Sequence, residues 1–103
     1  IITFDESGGP DSDSSACCGP ASVLNTPLPG IAGPGGGRVG AVLLSPFIRP
    51  GTVSDVPYNH YSMLRSVEDL FGLEYLGYAS AAGVTSFGAD IFTRAMPEFP
   101  SKN

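Results

Sequence analysis

Apolar residues in this chain fall into three blocks, separated by stretches rich in glycine, proline and serine. The first, Ile1-Ile2-Thr3-Phe4, is apolar at nearly every position, the pattern of a strand covered on both faces over residues 1–4. It stops at two adjacent carboxylates, Asp5 and Glu6, and then enters the breaker run Ser7-Gly8-Gly9-Pro10. The second block, Arg38–Ser45, contains Val39, Ala41, Val42, Leu43 and Leu44 and predicts another strand covered on both faces over 38–45. Pro46 and the Arg49-Pro50-Gly51-Thr52 turn end it. A strand this apolar needs neighbours on both sides, and the chain offers one other strand.

The third block changes period. Leu64, Val67, Leu70 and Phe71 recur at helical spacing and predict a helix over 59–71 with one apolar face. Asn59 is placed to cap its start and Gly72 to close its end in the left-handed region. Arg65 and Asp69 are four apart, which places a pair on the exposed side. Leu73–Tyr78 reads as a short extended piece, and residues 79–103 as a surface-hugging tail with little regular structure. Residues 7–37 have neither period and form a long irregular loop, of the kind that covers a site or is disordered.

Composition sets these blocks in proportion. The 103 residues suffice for one small domain at most, and 42% hydrophobic content is too high for a disordered chain despite 14 glycines and 10 prolines. Net charge is −5 with five lysines and arginines, so no basic patch exists to neutralise phosphates and a nucleic-acid partner is excluded. No apolar run approaches the roughly 20 residues of a membrane span. Because Ile1 already lies inside a strand, the chain reads as a fragment or processed C-terminal piece of a longer protein, whose signal region lies outside it.

Candidate chemistry is sparse. Asp5 and Glu6 at a strand end are placed to face a pocket, with the following glycines permitting the bend that brings both to it. His60, the only histidine, stands at the first position of the helix, where the macrodipole disfavours imidazolium and leaves a lone pair to bind a cation. Two carboxylates and an imidazole form an incomplete oxygen–nitrogen ligand set for a divalent metal ion. The Asp11-Ser12-Asp13-Ser14-Ser15 loop opens like a calcium loop, but Ala16 replaces the turn glycine and Ser22 the closing glutamate. Cys17 and Cys18 are adjacent, with Cα atoms about 3.8 Å apart; a mutual bridge is strained, and free thiols or partners elsewhere stay open. No nucleophile elbow, phosphate loop or H-E-x-x-H is present.

Several segments carry a resemblance: IITFDE at 1–6, CCGP at 17–20, GGGRVGAVLLSPFIRPGT at 35–52, VPYNHYSMLRSVEDLFGLEYLGYA at 56–79 and SFGADIF at 86–92. Together they resemble the C-terminal part of the bacterial phosphoesterase family, which includes acid phosphatases, phosphatidylinositol-3-phosphatase-like proteins and phospholipase C-type enzymes, in the alkaline phosphatase superfamily. The resemblance implies that residues 1–103 are the C-terminal portion of one α/β sandwich domain with a central mixed sheet and a site at the strand ends. It implies that Asp5 and Glu6 bind metal, and that His60 of the H-x-S helix start binds metal or contacts the phosphate as a catalytic residue. Family members place the nucleophile and a further glutamate–asparagine metal pair in the N-terminal half, so the chain alone is expected to be inactive. The implied function is metal-dependent hydrolysis of phosphate esters by a secreted or periplasmic protein, with the metal unidentified; the Ser/Asp/Gly/Pro character of residues 7–37 offers no apolar patch and leans toward soluble monoesters over phospholipids. The competing expectation is a non-catalytic metal-binding or interaction module.

Overall fold

The computed structural model describes residues 1–6 and 38–95. Its regular elements are strand β1 (Ile2–Thr3), strand β2 (Ala41–Val42), helix α1 (His60–Phe71) and a 3₁₀ turn over Gly77–Ser80. The fold is thus mixed α/β on a small scale. The irregular loop at 7–37, with its acidic run and cysteine pair, lies outside the described residues, as does the end of the tail at 96–103.

The two strands pair antiparallel, with Ile2 opposite Val42 and Thr3 opposite Ala41. The Thr3 hydroxyl donates to the Gly40 carbonyl at 2.9 Å, extending the ladder by one contact. Both strands are shorter than the expected 1–4 and 38–45, and the expectation that both faces are covered is not met. Phe4 is 69% exposed and Leu44 79%. The strands bond to each other, and among the described residues no second layer lies over them, so their apolar side chains face outward. Downstream, Thr52 N–H donates to the Arg49 carbonyl at 3.1 Å, and Gly51 sits at φ +79. Proline followed by a positive-φ glycine is the signature of a type II turn.

Helix α1 begins where Asn59, in extended conformation, accepts the Ser62 N–H on its side chain at 2.9 Å. It ends at Gly72, which has φ 64 and ψ 30. There Gly72 N–H donates to Asp69 O at 3.2 Å and Leu73 N–H to Glu68 O at 2.8 Å, the paired bonds of a Schellman closure.

What the helix buries is the reverse of what its period implies. Ser62, Ser66 and Glu68 are buried, while Leu64, Val67 and Phe71 of the apolar stripe are exposed. Segment 73–95 wraps the polar side because that side offers acceptors to its backbone. Leu76 N–H donates to Glu68 Oε1 at 2.9 Å, and Phe87 N–H donates to Ser66 Oγ at 2.8 Å. Arg65 reaches the Ala79 carbonyl at 2.7 Å and lies 4.0 Å over the Tyr75 ring, and Asp69 accepts from Tyr75 and Ser86. Arg65 and Asp69 therefore serve the packed side of α1, not the exposed side expected for them. The expected extended piece at 73–78 ends instead in the 3₁₀ turn. The end of that piece and the expected surface tail supply the buried apolar residues: Tyr78 from the first and Ala79 and Val84 from the second are the core among the described residues, with the Tyr61 and Tyr78 ring centroids 5.2 Å apart.

Candidate functional site

Two elements distant in sequence meet at the start of α1. The ladder between β1 and β2 fixes the end of β1, and the cap at Asn59 fixes His60 as the first helical residue. Across 55 positions of sequence, His60 Nε2 stands 2.9 Å from the backbone carbonyl of Asp5. A carbonyl oxygen only accepts, so Nε2 carries the proton in this contact, and in the neutral ring Nδ1 is then the acceptor nitrogen. Asp5, Glu6 and His60 are all exposed, so the acid end of β1 and the imidazole share an open edge of the molecule.

The donor chemistry, two carboxylates and one imidazole, suits a divalent ion. The placement does not complete such a site: among the described residues no three of His, Cys, Asp and Glu gather closely enough to hold a metal ion. The structure brings Asp5 and His60 together through a backbone oxygen, with Nε2 committed to that bond.

A second polar cluster lies just ahead of His60. Tyr58 donates its hydroxyl to Asp90 Oδ1 at 2.7 Å and accepts the Gly88 N–H at 3.0 Å. Ser54 Oγ donates to Asp90 Oδ2 and accepts the Val56 N–H at 3.2 Å. The Tyr58 ring meets Phe87 edge-on, with centroids 4.9 Å apart. Burial acts to raise the Asp90 pKa, but the hydrogen bonds from Ser54 and Tyr58 outweigh it and hold the carboxyl below the ordinary carboxylate range. Burial, and then the bond to Asp90, push the Tyr58 phenol above its ordinary value. Sequence reasoning passed over Ser54, Tyr58 and Asp90 as site residues. Asp90 is a lone acid in a glycine- and serine-rich stretch, and the one pointer to it was the SFGADIF segment within the family resemblance.

Fold and site together define a mixed α/β protein presenting a strand-end acid pair beside a helix-start histidine. The sequence model of the Phosphoesterase family matches residues 1–74, which include β1, β2, α1, Asp5, Glu6 and His60. The chain belongs to the phosphoesterase family. Membership points to hydrolysis of phosphate esters in general. No curated protein and no solved structure matches the chain. Among the described residues no helix is long and apolar enough to cross a membrane.

Proposed function

We propose that this chain forms the C-terminal part of a phosphate-ester hydrolase and contributes the Asp5–His60 edge of its active site. The observation that carries the reading is the contact between His60 Nε2 and the Asp5 carbonyl, which lies within the family-matched region and joins its two candidate site segments. With Nε2–H fixed on that carbonyl, Nδ1 is the atom that exchanges a proton with the phosphate ester. In the neutral ring it takes a proton from an attacking oxygen; in the charged ring it donates to a phosphoryl or leaving oxygen. The exposed carboxylates of Asp5 and Glu6 contribute in part to a divalent metal site whose remaining donors, together with the nucleophile, come from an N-terminal half of the same domain. Among the described residues, Asp5, Glu6 and His60 do not gather into a metal site on their own.

The outward-facing apolar residues support a larger α/β sandwich. Ile2 and Val42 on the strands, Phe4 and Leu44 just beyond their ends, and Leu64, Val67 and Phe71 on the helix, are positions that further strands and helices of such a domain would cover. By the same family reading the protein is a secreted or periplasmic acid phosphatase or phospholipase C-type enzyme; the Ser/Asp/Gly/Pro composition of residues 7–37, without an apolar patch, favours small soluble phosphate monoesters.

The test is hydrolysis of p-nitrophenyl phosphate by the longer protein and by the 103-residue chain. The longer protein is expected to be active and the chain inactive. His60→Ala in the longer protein is expected to lower kcat by about 100-fold or more, the scale of a lost acid–base group. Chelation is expected to abolish activity and added divalent ion to restore it. Unchanged hydrolysis by His60→Ala sinks the catalytic reading in favour of a non-catalytic module, and full activity after complete metal removal sinks the metal site.

A further inference from the structure

Segment Ser86–Asp90 lies beyond the family-matched region, yet it closes on the residues leading into His60. Its near end is tied to α1: Phe87 N–H donates to Ser66 Oγ at 2.8 Å, and the Ser86 hydroxyl donates to Asp69. Its far end holds Tyr58 by both capacities of one hydroxyl, since Tyr58 donates to Asp90 Oδ1 and accepts from Gly88 N–H. The Tyr58 backbone is held as well, its N–H donating to Val56 O at 2.7 Å, while Ser54 joins the same carboxylate. The approach is tight at Gly88. A Cβ there would stand 3.1 Å from Asp90 Oδ1 and 3.6 Å from the Tyr58 hydroxyl.

Tyr58 is two residues ahead of His60 and one ahead of the capping Asn59. A rotation of the chain at Tyr58 is therefore passed directly to the first turn of α1, whose first side chain is the imidazole. His60 is exposed, so its contact with Asp5 depends on the backbone that presents it and not on packing around the ring. We propose that Asp90 is a positioning residue for His60: through Tyr58 it clasps the chain ahead of α1 and so holds the imidazole against the Asp5 carbonyl. The catalytic meaning of this clasp rests on the reading of Asp5 and His60 as an active-site edge; its geometric effect does not.

The single histidine makes the effect directly measurable in the 103-residue chain. Hε1 and Hδ2 of the His60 ring flank Nε2, so the contact predicts through-space NMR cross-peaks from them to backbone protons of Asp5 and Glu6. Asp90→Ala and Tyr58→Phe are each expected to abolish these cross-peaks while the helical circular dichroism stays. Asp90→Asn, which keeps an oxygen to accept the Tyr58 hydroxyl, is expected to retain them. Ser86→Ala, which leaves the Tyr58–Asp90 bond in place, is expected to retain them too. Cross-peaks undiminished in folded Asp90→Ala overturn the proposal. Should Asp90→Ala unfold, Tyr58→Phe, which loses one oxygen atom, decides in the same way. Cross-peaks absent from the unsubstituted chain overturn it as well, by removing the contact it explains. Inactivity of the longer protein toward phosphate esters would refute the proposed function and leave this result standing.

Discussion

At Ser66 a small hydroxyl does two jobs inside the molecule. It donates to the Ser62 carbonyl at 2.6 Å and accepts the Phe87 N–H at 2.8 Å. Ser66→Ala keeps the helix and nearly the same volume but leaves a backbone donor without its acceptor. The expected loss is about 1–3 kcal/mol, the desolvation cost of an orphaned group, read as a lower urea midpoint. Asp90 gives a pH prediction. Its folded pKa lies below the unfolded value, so it contributes stability above the ordinary carboxylate pKa of about 3.9, and that contribution disappears as pH falls through the lower folded value. Tyr58 has the opposite sign: its raised phenol pKa contributes below the ordinary value of about 10 and stops contributing as pH rises through the folded value. Asp90→Asn is therefore expected to flatten the fall of the urea midpoint in acid and to weaken the alkaline fall, whose remainder comes from the burial of Tyr58. An acid limb as steep as that of the unsubstituted chain would contradict the shift.

At the scale of elements, α1 shows where sequence reasoning was sound and where it inverted. Its limits were legible because they are set by local chemistry: an Asn side chain that meets an orphan N–H, and a glycine that takes positive φ without strain. Its buried face was not legible. Periodicity reports which side of a helix is apolar, and the step from apolar to buried assumes that something lies against it. Here segment 73–95 covers the side bearing Ser62, Ser66 and Glu68, and Phe71 stays 71% exposed. Phe71→Ser is expected to change the stability of the chain by no more than about 0.5 kcal/mol, as at a surface position, and to reduce binding of a hydrophobic dye. A loss of several kcal/mol would mean that the stripe is covered within the chain itself.

For the molecule as a whole, the three apolar blocks read as two strands and a helix hold β1, β2 and α1, and Asp5 meets His60 through its backbone carbonyl. Family membership over residues 1–74 agrees with that reading. The strand-end acids and the helix-start histidine were legible because each sits at a boundary marked by breakers or a cap. The clasp from Ser54, Tyr58, Gly88 and Asp90 was not, because it joins residues up to 36 positions apart with no repeating pattern.

The sequence by itself determined where α1 begins and ends, since its capping Asn59 and closing Gly72 act within a few residues. It also determined the family and the residue types offered to the site. Only the tertiary structure decided that Asp5 meets His60 through its backbone carbonyl, that α1 buries its polar side, and that Asp90 reaches Tyr58. Those contacts join residues far apart along the chain, and no local propensity specifies which distant partner a polar atom will find.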